Sequence, residues 1–226
     1  MAEILMRWVH PERGVLAPVD FLEIAEQFNL LDRLTEHLVG IVSKQRATMQ
    51  KVCPSVQISI NLAPLQMANT ALIDRIFESF GDDLSGLNFE LTETAPYDEG
   101  GLLSVNLARL RRGGAMVSLD DFGTGYASLV NLRRFGFGEV KIDAEFACTK
   151  DEMQSVAMVN AIVAMAAALG ARTVAEGVET PEQVETMRSL GVDLLQDFHF
   201  AYPMDFDSFC QWVGDGKVAL AASAKA

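Results

Sequence analysis

Eight residues of this chain stand at or just after the ends of short β-rich runs and carry side chains that bind metals or handle protons: Asn61, Glu90, Glu93, Asp120, Asp121, Lys141, Glu176 and Gln196. Carboxylates brought together repel one another, and a cation relieves the repulsion. Donors of the Asp, Glu and Asn type suit Mg²⁺ or Mn²⁺ rather than zinc. The pattern is densest in SLDDFGTGYASL, residues 118–129. In a regular strand Asp120 and Asp121 point to opposite faces. If the strand ends there, each can address a different ion. Gly123 and Gly125 then let the chain turn tightly with positive φ. Singly, each feature has an ordinary structural explanation. An Asp pair before glycine makes a turn or a helix cap, a lone lysine snorkels or pairs with a surface acid, and Glu90 and Glu93 decorate an edge strand. Their recurrence at the ends of successive runs is what points to chemistry. His10, His37 and His199 lack metal-ligand spacing and receive no role.

The elements that must position these residues alternate in period. Strands are expected at 3–8, 56–61, 87–92, 115–120, 139–143, 172–176 and 193–196. Helices are expected at 18–28, 30–50, 102–114 and 181–191, the last opened by Pro181 and closed by Gly191. Strand and helix in alternation predict an α/β fold with a largely parallel sheet. Val56, Ile58 and Ile60 share one strand face while Gln57, Ser59 and Asn61 share the other, and similar divisions recur in the runs at 3–8, 87–92 and 115–120. One apolar and one polar face is the pattern of a TIM-like (β/α) barrel, whose strand C-termini meet on the side where such enzymes build their sites. About seven strands are countable, against eight in a complete barrel.

Composition limits the alternatives. The chain has 226 residues, half of them hydrophobic, and a formal net charge of −13. That suits residues 1–215 as a single domain with 216–226 as a C-terminal tail, and it excludes a nucleic-acid polymer as partner. An acidic protein can still bind a small phosphate ligand if metal ions supply the positive charge. Cys53, Cys148 and Cys210 are scattered, which favours a reducing, cytoplasmic setting over a disulfide framework. Glu3, Arg7 and Glu12 interrupt the apolar run a signal peptide needs. The most apolar segment, 155–170, is shorter than the roughly 20 residues of a membrane span and is expected to be a buried helix.

The motifs then resemble those of one family. EILMRWVHPERG (3–14), PVDFLEIAE (18–26), INLAP (60–64), FELTET (89–94), DDFGTGYASL (120–129), KID (141–143), AEGVET (175–180) and LLQDFHFAYP (194–203) are similar, in order and spacing, to the EAL domain, the bacterial phosphodiesterase domain for cyclic di-GMP. The resemblance covers nearly the whole chain. It implies a β/α barrel, here lacking the family's first strand, that hydrolyses cyclic di-GMP to linear pGpG with two Mg²⁺ or Mn²⁺ ions. By motif, Glu3, Asn61, Glu90 and Asp120 would bind one ion. Asp120 would bridge to a second, held also by Asp121, with Glu176 nearby. Lys141 would contact the attacking water, and Gln196 would help position water and substrate. Arg7 and Leu5 would contact substrate, Glu93 would anchor the loop after Asp121, and Glu179 would support the site from further out. The resemblance also implies a homodimer coupled to that loop, and a place within a larger multidomain signalling protein.

The chain departs from the pattern at several points. Ile4 replaces the signature alanine, and Ala63 and Ala127 stand where serine is usual. At 196–198 the chain reads Gln-Asp-Phe where the family prefers Gln-Gly-Tyr. Asp197 is expected to crowd or repel a phosphate. Two competing functions follow: an impaired EAL domain acting as a cyclic di-GMP receptor or interaction module, and a Mg²⁺-dependent barrel using Lys141 as a base beside a carbonyl. The second rests on fold analogy alone.

Overall fold

The computed structural model describes residues 1–92, 101–123, 129–148 and 152–215. The fold is α/β, with seven parallel strands in the main sheet and a separate two-stranded hairpin. The chain divides into two compact units, the first Met1–Phe89 with Tyr97–Ala115, the second Glu90–Pro96 with Met116–Ala226.

The first unit opens with β1 (Ala2–Glu3), then the antiparallel hairpin β2 (Trp8–His10) and β3 (Gly14–Leu16). Helices α1 (Leu22–Gln27) and α2 (Leu31–Val52) follow, then β4 (Ile58–Leu62), α3 (Pro64–Ala68) and α4 (Thr70–Phe80). β5 (Leu87–Thr92) begins in this unit, and α5 (Leu102–Arg112) completes it. In α2, Thr35, Val39, Val42 and Met49 form the buried stripe, at the spacing of one helical face. Asn69 caps α4 by accepting from the Ala71 amide at 3.0 Å, and Gly81 ends it at φ 81°.

The second unit contains the end of β5, then β6 (Met116–Phe122), α6 (Leu129–Phe135), β7 (Glu139–Ile142), α7 (Ala144–Cys148), α8 (Glu152–Leu169), β8 (Arg172–Ala175), α9 (Pro181–Ser189), β9 (Leu194–Leu195) and α10 (Phe206–Gly214). β6, β7, β8 and β9 pair in parallel in that order. Thr180 caps α9 reciprocally with Gln183, the capping box that the Thr-Pro start announces. Val117, Leu119, Val140, Ile142, Val174 and Ala175 are buried on these strands. So are Ser118, Asp120, Glu139 and Lys141. Parallel strands are covered on both faces, so the alternating polar side is buried too, and its charges require partners. Glu139, fully buried, receives both Nε and a terminal nitrogen of Arg172 at 2.6 Å.

Two sequence expectations are corrected. The run 3–8 is not one strand. Only Ala2 and Glu3 pair with β4, and the chain then enters the hairpin, where Val9 lies opposite Val15. Gly14 at φ 74° turns the chain, and the His10 Nδ1 accepts the amides of Glu12 and Arg13 at 3.1 and 3.2 Å. These local bonds outcompete continuation of the strand, so the alternation inferred past Glu3 does not hold. The segment 155–170 lies almost wholly in α8, which is not buried all round. Ser155, Val159, Ile162 and Ala166 are buried while Met153, Met158 and Leu169 are exposed. A helix laid on a sheet buries one stripe, and alanines on its outer side cost little in water. Among the described residues no helix is long and apolar enough to cross a membrane.

Candidate metal centre and active site

The site grows from a defect in β6. Ser118 and Leu119 face Glu139 and Val140, but Phe122 faces Ile142, so three steps on β6 match two on β7. The extra residue makes a β-bulge at the aspartate pair, and Asp121 takes φ 55°. Asp is among the few side chains that tolerate this left-handed conformation. A regular strand would send the two carboxylates apart. The bulge instead leaves an oxygen of Asp120, one of Asp121 and one of Glu176 all within 4.8 Å of one another. The strand thus continues through the pair to Phe122, and the bulge does the work that a strand end was expected to do.

Gly123 follows at φ 108°, and a Cβ there would stand 2.6 Å from the Phe146 ring. Gly123→Ala is therefore expected to combine backbone strain with a steric clash beside Asp121, costing about 2 kcal/mol. Urea unfolding of the variant checks this, and an unchanged midpoint would refute it.

Lys141 lies at the centre of the acids, 1% exposed. Its Nζ is 2.7 Å from Glu90 Oε2, 2.6 Å from Glu176 Oε1 and 3.1 Å from Asp120 Oδ1. Parallel pairing brings them together: Lys141 aligns with Val174, two residues before Glu176. The contact with Asp120 is one of charge only, since Asp120 Oδ1 is buried without a hydrogen bond. Exposure of the side chains rises from Glu90 at 0% through Asp120 at 12% to Glu176 at 19%. The cluster is closed at Glu90 and opens toward Glu176. Burial, then the neighbouring Asp120 and Asp143, push the Asp121 carboxyl up to about 6, with Lys141 opposing and a hydrogen bond to Asp143 adding to the rise.

Asp143 is a member of the cluster that the sequence reading missed. The KID motif carried the signal, but only its lysine was given a role. Glu3 and Asn61 meet in the first unit, where the Asn61 amide donates to Glu3 Oε1 at 2.8 Å, a consequence of β1 pairing with β4. Arg7 and Leu5 are exposed, and Arg7 donates to the Met6 carbonyl. Gln196 is half-buried, its amide bonded to the Ala175 carbonyl at 2.9 Å. Glu179 is exposed, its amide donating to Gln183. Glu93, Gly125 and Ala127 lie outside the described residues.

An all-oxygen donor set fits a hard divalent cation, and Asp120 Oδ1, which accepts no hydrogen bond and faces Lys141 at 3.1 Å, keeps lone-pair capacity for one. Asp120, Asp121 and Glu176 could hold it.

The EAL domain family matches residues 1–203. The chain is 36% identical over 215 residues to the cyclic di-GMP phosphodiesterase RocR of Pseudomonas aeruginosa, covering 93% of this chain and 55% of that protein. It is 37% identical over 206 residues to the protein y4lL of Sinorhizobium fredii, covering 89% of this chain and 24% of that one. The chain thus spans about half or less of the length of these curated relatives. Among solved structures, the c-di-GMP complex of the phosphodiesterase PaMucR, from Pseudomonas aeruginosa, superposes with a TM-score of 0.83 at 34% identity, covering 92% of this chain and 86% of that one. On a family match over residues 1–203, the chain belongs to the EAL domain family.

Proposed function

We propose that this protein is a metal-dependent phosphodiesterase that hydrolyses cyclic di-GMP to linear pGpG. The observation that carries the reading is the buried cluster of Glu90, Asp120 and Glu176 around Lys141, with Asp121 turned to the same side by the bulge. Seven parallel strands, and the likeness to solved EAL structures, support a TIM-like (β/α) barrel with one strand fewer than the complete eight. Residues 1–215 then form one EAL domain, followed by a tail.

Asp120, Asp121 and Glu176 would hold one Mg²⁺ or Mn²⁺, and Glu3, Asn61 and Glu90 with Asp120 the other. When bound, the ions supply Lewis acidity toward water and the phosphoryl oxygens, and the positive charge that a protein of net charge −13 needs to accept a dianion. Lys141 Nζ orients the attacking water and supplies the counter-charge that Glu90, Asp120 and Glu176 share. Glu176, the most exposed of the acids around Lys141, lies on the open side of the cluster, where the proton that the water gives up can reach solvent. Attack on phosphorus breaks its bond to one 3′-oxygen, which takes up a proton and leaves as a hydroxyl, and the ring opens to pGpG. Gln196 orients water and substrate, and Arg7 and Leu5 contact the dinucleotide. The homodimer that the family resemblance implies is part of the same proposal.

The test is cleavage of cyclic di-GMP by the purified chain with Mn²⁺ or Mg²⁺, read as pGpG by chromatography, with a chelator control. Metal-dependent pGpG is the expected result. Tight binding without cleavage would replace the enzyme by a receptor, and neither would overturn both readings.

A further inference from the structure

Asp197 is one of three non-glycine residues with positive φ among those described, at 128°. Glycine adopts that conformation freely, so a side chain is retained here against a backbone cost. The side chain has a partner: Asp197 Oδ2 accepts the Gly177 amide at 3.1 Å. Gly177 follows Glu176, is buried and has φ 69°. The surrounding bonds form a short zipper. Gln196 N donates to Ala175 O at 2.9 Å, Val178 N to Gln196 O at 3.3 Å, and His199 N to Val178 O at 3.1 Å. On the other side, Glu176 N donates to Ile142 O at 3.0 Å. Both amides flanking Glu176 are therefore held, one by β7 and one by the Asp197 carboxylate. One oxygen of the Asp197 carboxylate is thus engaged with a backbone amide, a role that its place in the motif does not announce.

We propose that Asp197 is a positioning residue that latches the Glu176–Gly177 turn to the Gln196 segment and so sets the direction of the Glu176 carboxylate. Its effect on turnover rests on the phosphodiesterase reading above, whereas the latch itself does not. Asp197→Gly removes the acceptor and the backbone strain together. Asp197→Asn keeps an acceptor oxygen and removes the charge.

The experiment compares the full chain with both variants. Amide exchange at Gly177 is followed by NMR, Mn²⁺ affinity by calorimetry, and kcat and KM with cyclic di-GMP. Unfolding curves establish that each variant is folded. In Asp197→Gly, Gly177 exchange is expected to rise at least about tenfold, Mn²⁺ affinity to fall several-fold, and kcat to fall about tenfold with KM little changed. In Asp197→Asn these quantities are expected to return close to those of the parent. Unchanged Gly177 exchange in Asp197→Gly overturns the latch. Faster exchange with unchanged Mn²⁺ affinity overturns the positioning role. Gly177 exchange in Asp197→Asn as fast as in Asp197→Gly would overturn the acceptor role of the side-chain oxygen. If the parent chain cleaves nothing, the phosphodiesterase reading fails alone, and Gly177 exchange with Mn²⁺ affinity still decides the latch.

Discussion

Replacing Lys141 by alanine is expected to destabilise the chelator-treated protein by about 3–5 kcal/mol and to abolish hydrolysis of cyclic di-GMP. The ammonium is 1% exposed and lies within 3.1 Å of three carboxylates. Without it, Glu90, Asp120 and Glu176 lose their shared counter-charge in a setting that water barely reaches. Lys141→Met separates the causes, because it restores most of the volume but none of the charge. Its stability should lie close to that of the alanine variant. Mn²⁺ should return more stability to either variant than to the parent, because the cation replaces the lost charge. Chemical denaturation with chelator and with Mn²⁺ measures all of this. If Lys141→Met unfolds at the parent's midpoint without metal, the electrostatic account of the cluster is wrong.

The second large effect is the pH dependence of metal binding. The Asp121 carboxyl is pushed up to about 6, chiefly by burial and then by Asp120 and Asp143, and a metal must compete with its proton. Apparent Mn²⁺ affinity is expected to be about tenfold weaker at pH 5 than at pH 7. Asp121→Asn should bind Mn²⁺ more weakly at pH 7 and show a flatter dependence. The same shift has a consequence without metal. A carboxyl whose folded value lies above its unfolded value favours the folded state while protonated. That contribution is complete below about 4 and is lost as pH rises through about 6. Between those limits the chelated parent should lose stability relative to Asp121→Asn. Calorimetric titration with Mn²⁺ at each pH decides the first point. An affinity that stays constant from pH 5 to 7 would remove Asp121 from the metal's ligands.

Much of the site could be read in the sequence because the relevant residues are types that only a partner makes tolerable at strand ends. Glu90, Asp120, Lys141 and Glu176 were recognisable from alternation and motif, and parallel pairing places them together. Asp143 was overlooked because one residue past a strand its direction depends on the turn that follows. The run 3–8 was misread because alternation alone does not reveal a hairpin organised by His10 and Gly14. The helix at 155–170 was read as buried because its composition is apolar throughout, whereas burial depends on how many sides have neighbours.

The sequence by itself determined the α/β class, the family and the set of groups that could hold a cation, because periodicity and residue chemistry are local properties. Only the tertiary structure decided how those groups act together. It set Asp120 and Asp121 on one side through a bulge defined by the register with β7. It surrounded Lys141 with two acids from neighbouring strands and one just past the end of β8. It gave Asp197 a partner in the Gly177 amide. These arrangements depend on strand register and, at Asp121, Gly177 and Asp197, on positive φ values, which are fixed by neighbours distant in the chain.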